Sequence, residues 1–240
     1  MRNEKGQTLE AFLSAYNPGA YERPSVTADI AVFTLLDGPD VNLGILLIKR
    51  KDHPFIGQWA LPGGFLDVKQ DQDLMAAAGR ELLEETGVKG LALRQFHTFS
   101  DMHRDPRTRI ITSGYVSVVP AGLLKPKAAD DAADEGIFKI NAYTHRDVIT
   151  LALSGKETYK TDAKLYEDAL GPNIMAVSRE NTAEEKKLAS DHGFVIHKAL
   201  QYLMSLDTDR LCAALCGEKG MLYAQTKRML NEVKSLYYRA

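Results

Sequence analysis

Cysteine is scarce in this sequence. Only Cys212 and Cys216 occur in 240 residues, too few for a disulfide-stapled scaffold, and this usage suits a reducing, cytoplasmic setting. The two stand four apart on a predicted helix and read as buried thiols, because a metal site would need ligands that the pattern does not supply. No apolar run approaches the roughly 18 residues of a membrane-spanning helix. The opening MRNEKGQTLEAF is polar and lacks the apolar stretch of a secretory signal. An excess of either charge is missing too: 30 Lys and Arg against 32 Asp and Glu leave a net charge of −2, which excludes a basic nucleic-acid-coating protein. No fixed-period repeat is present. What remains is ordinary globular usage, 45% hydrophobic and 26% charged, in a chain long enough to bury a core unaided.

The punctuation of the chain predicts its elements. A short helix near Leu9–Tyr16 ends at Asn17-Pro18-Gly19. Ser25–Leu36 alternates and is rich in β-branched residues, so it reads as a strand. Asp37–Asp40 forms a turn, and Leu43–Lys49 is a short apolar run that reads as a buried strand. His53–Gly64 is a loop, Leu74–Thr86 a helix stopped by Gly87, and Leu91–Phe99 and Ile110–Val119 are strands. Pro120–Ala133 is a loop, and Phe138–Ile140 a short strand. Val148–Leu153 and Glu157–Thr161 suggest a hairpin. A long amphipathic helix over Ala183–Leu206 places Leu188, Val195, Ile196, Ala199, Leu200 and Leu203 on one side, and two helices follow at Thr208–Cys216 and Met221–Tyr238. Strands with one crossing helix, then helices, predict an α/β (α+β) fold. Three segments are expected: 1–145 with an N-terminal arm, 146–182 as an inserted hairpin or loop region, and 183–240 as a helical C-terminal extension.

The chemistry concentrates in Leu61–Val88. Glu81, Glu84 and Glu85 fall at i, i+3 and i+4 and so share one helix face, while Met75, Ala76, Leu82 and Leu83 are expected to bury on the other. Carboxylates at this spacing repel one another, and hard divalent ions such as Mg²⁺ or Mn²⁺ favour such oxygens and bridge to phosphates. A bare acidic triplet is also compatible with a solvated face. Here, however, Pro62-Gly63-Gly64 forms a tight loop ahead of the helix, with backbone amides open to an anion. Arg80, four before Glu84, is placed to brace a carboxylate.

Arg80-Glu81-Leu82-Leu83-Glu84-Glu85-Thr86-Gly87-Val88 resembles the second half of the Nudix box at every defined position, and Gly64 matches its opening glycine. The resemblance implies a Nudix-type mixed-sheet α/β/α sandwich with a C-terminal helical extension. It implies a Mg²⁺ or Mn²⁺ cofactor held by Glu81, Glu84 and Glu85, and catalytic roles for Glu84, Glu85 and Arg80. The family hydrolyses a nucleoside diphosphate linked to another group. One position departs: the box expects a glutamate where counting from either end gives Gln70 or Gln72. The loop holds two extra residues, and Asp67, Asp71 and Asp73 are the nearby acids that can compensate.

Tyr21–Thr27, Lys49–Ala60 and Arg104–Arg107 are similar to the subgroup holding ADP-ribose pyrophosphatases and ADP-ribose-sensing NrtR-type regulators. This implies an ADP-ribose-like ligand and a homodimer whose contacts include the N-terminal arm. Arg50, Arg104 and Arg107 are candidate phosphate or carboxylate contacts, because a guanidinium is a fixed bidentate donor; they are equally compatible with surface charge. Phe55 is a candidate for stacking a base, Gly63 and Gly64 for backbone contact, and Trp59 reads as core. Asp130, Asp131, Asp134 and Glu135 are further acids in a solvated loop. His192 and His197 read as packing or capping residues.

Two functions are weighed: a metal-dependent hydrolase yielding AMP and ribose 5-phosphate, and a regulator that binds DNA and senses ADP-ribose. Leu188–His192 resembles the segment that leads into the regulators' winged helix, but Ser205–Ala240 offers only two helices, without room for a third and a two-stranded wing. Its cations Lys227, Arg228, Lys234 and Arg239 are offset by Asp207, Asp209, Glu218 and Glu232. A core-covering or dimerising tail, and the hydrolase, are the preferred readings.

Overall fold

The computed structural model describes residues 1–36, 38, 40–120, 122–127, 132–177, 187–218 and 220–238. β1 (Ser25–Leu36) is apolar on both faces, as a strand covered from both sides must be. It pairs in parallel with β6 (Ile110–Val119) along one edge. Its other edge is shared: Thr27–Asp29 meets β4 (Gly63–Phe65), and Phe33–Leu36 meets β2 (Asn42–Arg50), both antiparallel. β3 (Trp59–Ala60) lies on β2. The path β10-β9-β8-β7-β2-β1-β6-β5 completes a ten-stranded mixed sheet, with β5 at Arg94–Phe99, β7 at Ala132–His145, β8 at Val148–Ser154, β9 at Thr158–Asp168 and β10 at Gly171–Ala176.

Helix α2 (Leu74–Thr86) covers one face, packing Ala78 and Leu82 on Ala28, Ile30 and Val32. Helices α3 (His192–Ser205), α4 (Thr208–Cys216) and α5 (Met221–Tyr237) cover the other, over a larger core built on Ala31, Phe33, Leu47 and Phe138. The result is the expected α/β/α sandwich, and the C-terminal helices form one of its layers. α1 (Leu9–Ala15) buries none of its residues. Among the described residues no helix is long and apolar enough to cross a membrane.

Several elements differ from expectation. The short strand at Phe138–Ile140 is the middle of the 14-residue β7, whose first half pairs with β2 and second half with β8. The expected hairpin is present as β8–β9, and β10 extends it in the same sheet. Residues 91–93 precede β5 rather than belonging to it. The loop 53–64 contains β3 and the start of β4. The long helix is shorter at its start: residues 187–191 are not helical, and 183–186 lie outside the described residues. Ser190 has a φ of 50°, which breaks any helix through it. On α2, Met75, Ala76 and Leu83 face solvent, and Ala77, Ala78, Leu82 and Glu85 form the inward stripe.

His197 ties two layers together. Its Nε2–H donates to the Thr161 carbonyl at 2.9 Å, so its Nδ1 accepts from the Tyr237 hydroxyl at 3.1 Å. The bond at Nδ1 requires a neutral ring, and burial pushes its pKa down to about 4. A folded pKa below the unfolded one gives stability that is complete above about pH 6.5 and is lost as pH falls towards 4. The span is worth about 3 kcal/mol at most. Urea unfolding of the full chain should therefore show a decline across this window. His197→Gln should be less stable at pH 7 and flatter below it.

Candidate active site

The loop entering α2 shows which acid stands beside Arg80 where the box expects a glutamate. The two extra residues turn the chain at Asp67, whose carbonyl accepts from the amides of Gln70 and Asp71. This swings Asp71 beneath Arg80. The Asp71 carboxylate takes a two-pronged contact, from Nε at 3.0 Å and Nη2 at 2.8 Å, and the guanidinium beside it holds its pKa below the ordinary carboxylate value. Gln70 and Gln72 are exposed. Asp73 has a different task, capping α2 by accepting from the Ala76 amide at 2.8 Å. Gly87, at φ 69°, ends the helix as expected.

Arg80 also donates to Glu81 at 2.8 Å, to Glu84 at 2.9 Å and to the Phe65 carbonyl at 3.0 Å. It is a clamp between loop, β4 and helix rather than a group facing the cavity. Glu84 leans on it from the solvent side. Glu81 and Glu85 turn inward, to a cavity of about 280 Å³ between α2, β1, β4 and the start of α3. Glu85 Oε2 accepts the Gly63 amide at 2.8 Å, and burial pushes its carboxyl up to about 8. Burial also raises that of Glu81, against the pull of Arg80. Gly63 and Gly64 have a steric role. A Cβ on Gly63 would lie 2.2 Å from the Ala28 carbonyl oxygen, and one on Gly64 would lie 2.3 Å from the Glu81 carboxyl carbon.

The predicted cations reach the same cavity in different states. Arg50 lines it, with Nε donating to the Pro54 carbonyl at 2.9 Å. Arg107 lines it half-exposed, forked onto Asp105 and lying 5.1 Å over the Phe65 ring. Arg104 is buried and engaged: it holds Asp191 with two bonds at 3.0 and 2.7 Å, the Thr112 hydroxyl, and Asp29 at 3.4 Å. Phe55 lines the cavity at a φ of 67°, a strained conformation for a bulky residue. Trp59 is core, stacked edge-on to Phe138 and donating to Glu157. Asp134 pairs with Lys156, and neither it nor Glu135 lines this cavity; Asp130 and Asp131 lie outside the described residues. Sequence reasoning missed Asp29 as a site residue and took His192 for packing; both line the cavity. The signal for Asp29 was a lone acid inside an apolar strand.

Among the described residues no three His, Cys, Asp or Glu side chains converge closely enough to form a metal site by themselves. The donor chemistry still fits a hard cation. Glu85 is a buried carboxylate satisfied by a single amide, and Glu81 fills the space that the missing Gly64 side chain leaves.

The NUDIX domain model matches residues 27–161, more than half of the chain and all of this loop–helix site. The chain belongs to the NUDIX family. It is 43% identical over 110 residues to the ADPR responsive transcriptional repressor NtrR of Acinetobacter baylyi, covering 46% of this chain and 43% of the repressor. It is 38% identical over 110 residues to an ADP-ribose pyrophosphatase of Methanocaldococcus jannaschii, covering 44% of this chain and 63% of the enzyme. The chain thus spans less than two thirds of either relative. A MutT/nudix family protein from Enterococcus faecalis shares the whole architecture, at TM-score 0.65 and 25% identity over 99% of this chain and 91% of that one.

If Asp71 has taken over the task of the missing glutamate, Asp71→Asn should lower the melting temperature by loosening the Arg80 clamp. Gln70→Ala and Gln72→Ala should leave it unchanged. Differential scanning calorimetry of the three variants separates these outcomes.

Proposed function

We propose that this protein hydrolyses the diphosphate bond of ADP-ribose or a related nucleoside diphosphate derivative with the help of Mg²⁺ or Mn²⁺. The observation that carries the reading is the presence, in one cavity, of the buried carboxylate of Glu85, the half-buried one of Glu81 and the guanidinium groups of Arg50 and Arg107. Glu81 and Glu85 would hold the cation. A divalent ion there supplies charge neutralisation for the diphosphate and a more acidic water. Arg50 and Arg107, which line the same cavity, would bind phosphoryl oxygens. Glu85 is the chain's best-placed proton acceptor, since its Oε1 has no hydrogen-bond partner among the described residues. Arg80 positions Glu81 and Glu84, and the aromatic face of Phe55 offers itself to a base. A homodimer in a reducing cytoplasm belongs to the same reading.

A second reading, an ADP-ribose-responsive regulator, is favoured by the repressor's 43% identity over the shared stretch. The C-terminal helices give it little support. On α5, Lys227 pairs with Asp209 and Arg228 with Glu232, so these cations are offset where a DNA-reading helix would present them free.

Incubation with ADP-ribose and Mg²⁺ should release AMP, and Glu85→Gln should lower the rate by about a hundredfold or more. The same variant should be more stable without metal at pH 7, by about 1–3 kcal/mol, because Glu85 must take up a proton to be buried there and a glutamine need not. Retained ADP-ribose binding without turnover, together with DNA binding reversed by ADP-ribose in a mobility shift, would decide for the regulator.

A further inference from the structure

His192 opens α3 and is more than nine-tenths buried, yet its ring lines the cavity. Its Nδ1 accepts the Leu61 amide at 2.8 Å. That bond fixes the neutral ring with the proton on Nε2, and burial, the largest influence on its pKa, favours the same form. The backbone that carries the ring is tied down as well: the Ala189 amide donates to the Trp59 carbonyl at 2.8 Å, and the His192 amide to the Ala189 carbonyl at 3.1 Å. Nε2–H is therefore a fixed donor. Asp29 Oδ2 lies 3.9 Å from it, beyond hydrogen-bond reach. Asp29 is itself buried, and among the described residues its partner of opposite charge is Arg104, at a long 3.4 Å.

A donor that cannot accept and an acceptor that cannot donate thus stand side by side in the cavity, separated by a gap that one oxygen can bridge. The group that satisfies both is a hydroxyl, which accepts from Nε2–H and donates to the carboxylate. A phosphoryl oxygen would satisfy the histidine but would be repelled by Asp29. We infer that Asp29 and His192 form a hydroxyl-reading subsite, which recognises a sugar hydroxyl of the nucleoside diphosphate derivative. The inference rests on the proposed substrate class and narrows it to ligands with a free sugar hydroxyl at this point of the cavity. It also makes the first residue of the C-terminal helices part of the binding site.

His192→Asn tests this, because an asparagine oxygen can keep the Leu61 contact while the Nε2 donor is lost. Calorimetric titration of the full chain, with Mg²⁺ present and with a non-hydrolysable ADP-ribose analogue whose bridging diphosphate oxygen is a methylene, should show the analogue weakened by about 10–100-fold and inorganic pyrophosphate unchanged. Equal weakening of both, or of neither, overturns the subsite. If the wild-type chain ignores ADP-ribose but binds UDP-glucose or ADP-glucose with the same His192→Asn penalty, the ADP-ribose reading fails and the subsite stands. If it binds none of these sugars, the subsite fails. Should the variant not fold, ¹⁵N NMR of the wild-type imidazole gives the answer: the Nε2–H signal should move with a bound nucleotide sugar and not with pyrophosphate, and the reverse result refutes the assignment.

Discussion

The contact on which the site depends is the 2.8 Å hydrogen bond from the Gly63 amide to Glu85. It pins the first strand residue after the Pro62 turn to a buried carboxylate on α2. That arrangement is possible only because Gly63 and Gly64 have no side chains to keep β4 away from β1 and α2. Once β4 is pressed in, Glu81 and Glu85 lose most of their water, and their carboxyls titrate high. The fold tolerates these two groups because Arg80, clamped by Asp71, supplies charge to Glu81 from behind and leaves the cavity side open. Such a site is destabilising in isolation, and on the proposed reading it is useful for the same reason, as a place made ready for a cation.

The C-terminal helices are more than a cover for the sheet. Asp191 and His192, at the entry to α3, reach back to Arg104 and Leu61. Arg104 connects Asp29 on β1 and Thr112 on β6 to that entry. The cavity is therefore closed on one side by the layer that contains α4 and α5, so its occupant and that layer share residues. An enzyme gains rigidity from this, and a sensor would gain a route to its helices; the paired cations on α5 favour the former.

Much of this could be read in the sequence where local chemistry decides structure. The helix over Leu74–Thr86, Gly87 after its last turn and the strand at Ser25–Leu36 are what is seen, but Glu84 turns to solvent away from Glu81 and Glu85, and β1 is buried on both faces where alternation was expected. The failures share a cause: long-range pairing overrode local pattern. β7 reads as a short strand because its second half alternates only weakly, yet β8 pairs with it throughout. The start of α3 is set by Ser190 and Asp191, which serve Arg104 some 87 residues away. Sequence spacing identified Gln70 and Gln72 as the departure from the box but could not choose among three nearby aspartates. The choice of Asp71 follows from the turn at Asp67. Asp29 escaped notice because a lone acid inside an apolar strand signals a buried polar group but not the cavity that it faces.

The account's central claim is that Glu81 and Glu85 are held ready for a divalent cation. Titration of the full chain with Mn²⁺, followed by electron paramagnetic resonance, tests it directly. The account predicts saturable Mn²⁺ binding that weakens at least about tenfold in both Glu81→Gln and Glu85→Gln. Binding that is absent in the wild type, or unchanged in both variants, would contradict it.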